Sequence, residues 1–90
     1  MEIFYSSKFA RDYKKLPLDV KKIAEKKELI FRKNLFDPRL KTHKLKGGLS
    51  GFFSFSINQK YRIIFEIVDI DKNKIWFHSV GDHTIYKLWD

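Results

Sequence analysis

A histidine, an arginine, a second histidine and a tyrosine, in that order through the second half of this chain, are side chains that can cleave RNA without a metal. His43 stands among Lys41, Lys44 and Lys46. Those cations disfavour a further positive charge, and the neutral imidazole is the form a general base uses. Arg62 carries a planar fork that can hold a phosphate by two parallel bonds and stabilise a phosphorane-like transition state. His83 follows Gly81-Asp82, where a turn would expose the imidazole as a general acid. Asp82 can keep it protonated or simply solubilise the turn. Tyr86, three residues on, can stack on a base or hold a phosphate. Three of these groups also have a plainer reading. His43 can be a surface histidine on a basic segment. Arg62 can be an edge charge paired with Glu66, and Tyr86 can cover the core with Ile85, Leu88 and Trp89.

Other chemistries find little support. His78, between Phe77 and Ser79 inside a strand, reads as structural. No His/Asp/Glu cluster has metal-ligand spacing and no glycine-rich loop matches a phosphate cradle, so neither metal nor cofactor is expected. Ser54 and Ser56 lack the turn context of a nucleophilic serine. The chain has no cysteine, which excludes disulfides, thiolate metal sites and a thiol nucleophile.

Bringing the four groups together takes a sheet. Residues 2–6 read as a short first strand with Phe4 and Tyr5. Ser6 or Ser7 can cap a helix on which Phe9, Tyr13 and Leu16 share one face. Pro17 interrupts it. Asp19 can cap a second, longer helix to about Asn34. Val20, Ile23, Ala24, Ile30 and Phe31 form its apolar stripe, with Lys21, Lys22, Lys26, Lys27 and Arg32 mostly outside. Residues 35–41, with Asp37-Pro38, are a loop. Gly47, Gly48 and Gly51 allow a sharp turn into strands over 52–57 and 61–69. Phe53, Phe55 and Ile57 share one face, as do Tyr61, Ile63, Phe65 and Ile67. Both sets meet the helices if the connecting loop is Asn58-Gln59-Lys60. The opposite face then shows Ser54, Ser56, Arg62, Ile64 and Glu66 and is free to work as a concave site. A third strand spans 75–80, Gly81 breaks it, and 82–90 is a short tail. The fold class is α+β: a helical hairpin packed on one face of a small antiparallel β-sheet, in a single domain spanning 1–90.

Composition agrees. Ninety residues, 43% hydrophobic and with nine Phe, make one compact core and leave no room for two. A net charge of +8, from 19 Lys+Arg against 11 Asp+Glu, suits a polyanionic partner, either nucleic acid or acidic protein. No apolar run reaches the roughly 18 residues that span a bilayer. Met-Glu-Ile-Phe-Tyr lacks the basic and apolar regions of a signal peptide, so a cytoplasmic protein with no membrane partner is expected.

The segments Leu45-Lys46-Gly47, Leu49-Ser50-Gly51-Phe52-Phe53-Ser54, Tyr61-Arg62-Ile63-Ile64-Phe65 and Gly81-Asp82-His83-Thr84-Ile85-Tyr86 together resemble the RelE/ParE toxin superfamily. The likeness is to its YoeB- and YafQ-like ribosome-dependent ribonucleases in particular, and it covers nearly the whole chain. It implies a RelE-like microbial RNase fold and the toxin of a type II toxin–antitoxin system. Such toxins enter the ribosomal A site and cut mRNA there. The ribose 2′-hydroxyl attacks the neighbouring phosphate, leaving a 2′,3′-cyclic phosphate and a 5′-hydroxyl without metal or cofactor. On this likeness His43 falls where relatives carry a Glu or His base, Arg62 on the arginine that stabilises the transition state, and His83 on the general acid. Tyr86 falls near the aromatic that orients the RNA. Lys41, Lys44 and Lys46 would grip ribosomal or message backbone. Ser54 and Ser56 would lie on the RNA-facing strand, where many relatives carry basic or imidazole side chains. The likeness also implies a hetero-oligomer with a cognate antitoxin, an acidic segment wrapping the basic surface. The ParE branch shares the fold, lacks the ribonuclease site and inhibits DNA gyrase; the paired histidines and Arg62 point to the nuclease branch.

Overall fold

The computed structural model describes residues 1–89, with side chains through Tyr86. Strand β1 (Glu2–Tyr5) leads through Ser6 into helix α1 (Ser7–Lys14). The Ser6 hydroxyl accepts from the Phe9 amide at 2.9 Å, satisfying a donor that the first helical turn leaves over. Pro17 precedes helix α2 (Leu18–Lys33), where its missing N–H costs nothing. Asp19 is therefore not the cap. It lies in the first turn, where its charge complements the helix dipole. A 3₁₀ turn at Pro38–Leu40, capped by Asp37, brings the chain to β2 (His43–Lys44). A second 3₁₀ turn, Gly47–Leu49, leads to β3 (Phe53–Ser56), β4 (Tyr61–Asp69), β5 (Lys74–Asp82) and a last 3₁₀ helix, His83–Trp89. Gly47 and Gly51 flank the second turn at φ 67° and 96°, a region closed to most L-residues.

The five strands lie in the order β1-β5-β4-β3-β2. Strands β2 to β5 are antiparallel, but β1 runs parallel to β5, with Ile3 opposite Ile75 and Tyr5 opposite Phe77. The sheet is thus mixed, with an antiparallel body and one parallel edge. Parallel pairing needs a long crossover, and the helical hairpin supplies the start of it. The β3–β4 turn is Asn58-Gln59-Lys60, and Asn58 Oδ1 accepts the amides of Lys60 and Tyr61 at 2.9 and 2.8 Å. Phe53 stands opposite Phe65 and Phe55 opposite Ile63, so the two apolar sets share the face turned to the helices. Phe31 of α2 is wholly buried among Phe55, Phe65 and Phe77, at centroid distances of 4.9, 4.9 and 5.3 Å. Such ring pairs add to the area they bury.

The opposite face is not free, as the alternation alone suggests. Strand β5 runs on through Gly81 rather than breaking there, and Gly81 pairs with Arg62. A Cβ at Gly81 would collide with Ile85 Cγ2. This absence of a side chain lets the last 3₁₀ helix fold back over the sheet. Ile64, Leu49 and Ile85 are buried outside the main core cluster, with Ser54 and Ser79 also buried. A bulge also falls here: Ile64 faces Ser79 while Phe65 faces Phe77, which leaves His78 as the extra residue. The core-covering reading of Leu88 and Trp89, and Asp90 at the end of the tail, fall outside the described side chains and residues. Among the described residues no helix is long and apolar enough to cross a membrane.

Candidate active site

Strand register puts His43 and Arg62 on one face in neighbouring rows, and Tyr86 reaches that face through Ser54. His43 stands opposite Ser54, Ser54 opposite Ile64, and Ile64 opposite Ser79. The neighbouring row holds Ser56, Arg62 and Gly81. Opposed residues share a face, and two residues along a strand span about 7 Å. His83 opens the last 3₁₀ helix directly after Asp82, which faces Tyr61. Tyr86 returns over the sheet, its Oη 2.7 Å from Ser54 Oγ. His43 and His83 are exposed, and Arg62 and Tyr86 are half-buried.

The hydrogen bonds set what each group can do. His43 Nδ1 lies 3.1 Å from the Lys41 carbonyl. A carbonyl only accepts, so Nδ1 carries the proton and the neutral ring keeps its lone pair on Nε2. That is the atom a general base needs. Arg62 Nη1 donates to the Asn58 and Tyr61 carbonyls, which fixes the guanidinium and leaves Nε and Nη2 to serve a ligand. Among the described residues Arg62 forms no ion pair, with Glu66 or any other carboxylate. Asp82 does not hydrogen-bond His83. Its carboxylate accepts from the Thr84 amide at 2.9 Å and from the Thr84 hydroxyl, and these bonds hold its pKa below the usual carboxylate value, with the nearby His83 and Lys60 charges assisting.

The remaining sequence-predicted residues divide. Lys41 lines a cleft of about 260 Å³ with Arg62 and Ser56. The Lys44 ammonium instead sits 5.9 Å from the Phe53 ring centroid, against a residue of the helix-facing row, and Lys46 is exposed before the Gly47–Leu49 turn. Ser54 departs from the expected RNA contact: it is fully buried and its hydroxyl meets Tyr86, so it positions the tyrosine. Ser56 is 8% exposed, at the margin of the cleft. Lys27, Arg39, Asn58 and Gln59 also line that cleft, and the sequence reading missed them. Lys27 lies off the apolar stripe of α2, which was the available signal.

His78 keeps its structural reading. Its ring meets Trp76 and Phe52 edge-on, at 4.9 and 5.4 Å. Burial, helped by the charge of Lys8, pushes its pKa below the usual histidine value, while Asp12 opposes. A larger groove of about 450 Å³ lies between α1 and α2, lined by Tyr5, Phe9, Tyr13, Ala24 and Ile63. It is apolar, and none of the four chemical groups lines it. Among the described residues no three His, Asp or Glu side chains are grouped to hold a metal ion.

The sequence matches no family model and no curated protein. Its fold matches solved structures closely. A YoeB/ParE toxin from Agrobacterium tumefaciens is 15% identical, with a TM-score of 0.77 over 92% of this chain and 99% of that one. YafQ from E. coli strain BL21(DE3) is 20% identical, with a TM-score of 0.73 over 94% and 96%. The YoeB–YefM complex from Staphylococcus aureus is 25% identical, with a TM-score of 0.73 over 92% and 97%. Coverage above 90% in both directions shows that the chain shares the fold of these YoeB- and YafQ-type toxins.

Proposed function

We propose that this chain is the toxin of a type II toxin–antitoxin pair and a metal-independent endoribonuclease that cuts mRNA in the ribosomal A site. The observation that carries the reading is the bond from His43 Nδ1 to the Lys41 carbonyl, which leaves Nε2 as a base on the face that holds Arg62. His43 Nε2 takes the proton of the ribose 2′-hydroxyl as its oxygen attacks phosphorus. The bond from phosphorus to the 5′-oxygen breaks, and His83 gives that oxygen a proton. A 2′,3′-cyclic phosphate and a 5′-hydroxyl result, so one proton is taken and one returned. Arg62, held by two carbonyls, faces the charge that builds on the phosphoryl oxygens. Tyr86, tied to Ser54, offers a ring for a base to stack on.

The solved relatives include a YoeB–YefM toxin–antitoxin complex, which supports a cognate antitoxin and a hetero-oligomer for this chain too. An acidic antitoxin segment suits the +8 charge, and a cytoplasmic location suits action on ribosomes.

The test uses purified translating ribosomes with one defined message. Wild-type protein should cut at fixed codon positions. Arg62→Ala should slow cutting by about 10²–10³, the cost of one transition-state donor. His43→Ala and His83→Ala should each slow it by about 10²–10⁴. Growth arrest that survives all three substitutions would remove the nuclease and leave a binding toxin of the gyrase-inhibiting kind.

A further inference from the structure

The cleft beside Arg62 has a composition that the active-site chemistry does not require. Lys27 of α2, Arg39 and Lys41 enter it with Arg62, and no carboxylate lines it. Arg39 is paired from its far side by Asp37, at 3.0 and 2.9 Å, and this pairing holds the Asp37 pKa down to about 2. Lys27, Lys41 and Arg62 have no ion-pair partner among the described residues. Like charges in one concavity repel unless an anion joins them.

The local backbone is built to keep these charges together. The Lys27 ammonium donates to the Arg39 carbonyl at 3.0 Å, tying α2 to the turn and leaving two of its N–H groups over. Lys41 sits at φ 53°, a left-handed conformation uncommon for a residue with a side chain. Thr42 fixes the segment by donating to the Leu35 carbonyl at 2.6 Å. Ser56, at the cleft, is two residues from Ser54, which faces His43. That spacing of about 7 Å is on the scale of one nucleotide step from the proposed cutting point.

We propose that this cleft seats a backbone phosphate of single-stranded RNA flanking the one that is cut, with Lys27 and Lys41 as its ligands and Arg62 shared between the two. RNA is favoured over an acidic peptide because every residue lining the cleft is polar or charged and none is an apolar side chain that would seat those of an extended peptide. Only the placing of the second phosphate rests on the nuclease reading.

The experiment measures binding of a fluorescent oligoribonucleotide with 2′-O-methyl sugars, which cannot be cut, across a salt series. Lys27→Gln should weaken binding about three- to tenfold, and the slope of log affinity against log salt should fall by about 0.7. Lys27→Arg should keep both. Lys26→Gln, exposed on α2 and outside the cleft, should change affinity much less. Thermal melting of each variant separates lost binding from lost folding. Equal effects of Lys26→Gln and Lys27→Gln would overturn the seat in favour of a diffuse field. Tighter, Lys27-dependent binding of poly-glutamate would overturn it in favour of an acidic protein. Lys27-dependent RNA binding by a wild-type protein that cuts no message would keep the seat and remove the nuclease.

Discussion

His43 and His78 show how surroundings divide the duties of one side-chain type. His43 is exposed, with one nitrogen committed to the Lys41 carbonyl and the other left for the proposed role as base. His78 lies in the bulge of β5, packed on Trp76 and Phe52, and burial depresses its pKa. A base with a depressed folded pKa binds fewer protons folded than unfolded just below the unfolded value of about 6.5, so stability is full above that pH and falls as pH drops through it. The wild-type melting temperature should therefore decline between about pH 7 and pH 5, and His78→Phe should flatten that part of the curve. An unchanged slope in His78→Phe would assign the decline to other groups. Residue types in order told which side chains could carry the chemistry. They did not tell which nitrogen of His43 would serve as base, because that depends on a backbone carbonyl two residues away. Nor did they show that Ser54 is buried under Tyr86, because no spacing records what a chain end folds back upon.

The elements were legible where alternation is strong. Phe53, Phe55, Ile63 and Phe65 alternate cleanly, and the three-residue turn follows from keeping them on one face. Strand β2 is two residues long and carries no periodicity, so His43 reads as loop until its pairing with Ser54 is seen. The parallel direction of β1 has no signature in four residues either. Gly81 misleads for a physical reason. Glycine usually marks a turn, but here it continues a strand because Ile85 packs where its side chain would stand. Gly81→Ala should cost about 1–3 kcal/mol through overpacking, seen as a fall in melting temperature of about 4–8 °C for each kcal/mol. It should also slow RNA cutting, since Ile85 and Tyr86 move together on the last 3₁₀ helix. Full stability and rate in Gly81→Ala would show that this helix is not tied to the sheet through that contact.

At the scale of the molecule, a basic α+β domain with helices on one face and the candidate site on the other was readable from pattern and charge. The covering of that second face by the last 3₁₀ helix, and the cation cleft at its margin, were not, because both arise from contacts between segments far apart in sequence. The charge of +8 predicts ribosome association that weakens steeply with salt, as lysine and arginine displace counterions from phosphates. Attack by the 2′-hydroxyl fixes which bond breaks. It is tested most directly by end analysis of a message cut on translating ribosomes, with a single 2′-deoxy substitution at the mapped position. The expected result is a 2′,3′-cyclic phosphate upstream, a 5′-hydroxyl downstream, and no cutting at the 2′-deoxy position while neighbouring sites stay sensitive. A 5′-phosphate end, or cutting that persists at the 2′-deoxy nucleotide, would contradict attack by the 2′-hydroxyl and the roles given to His43 and His83.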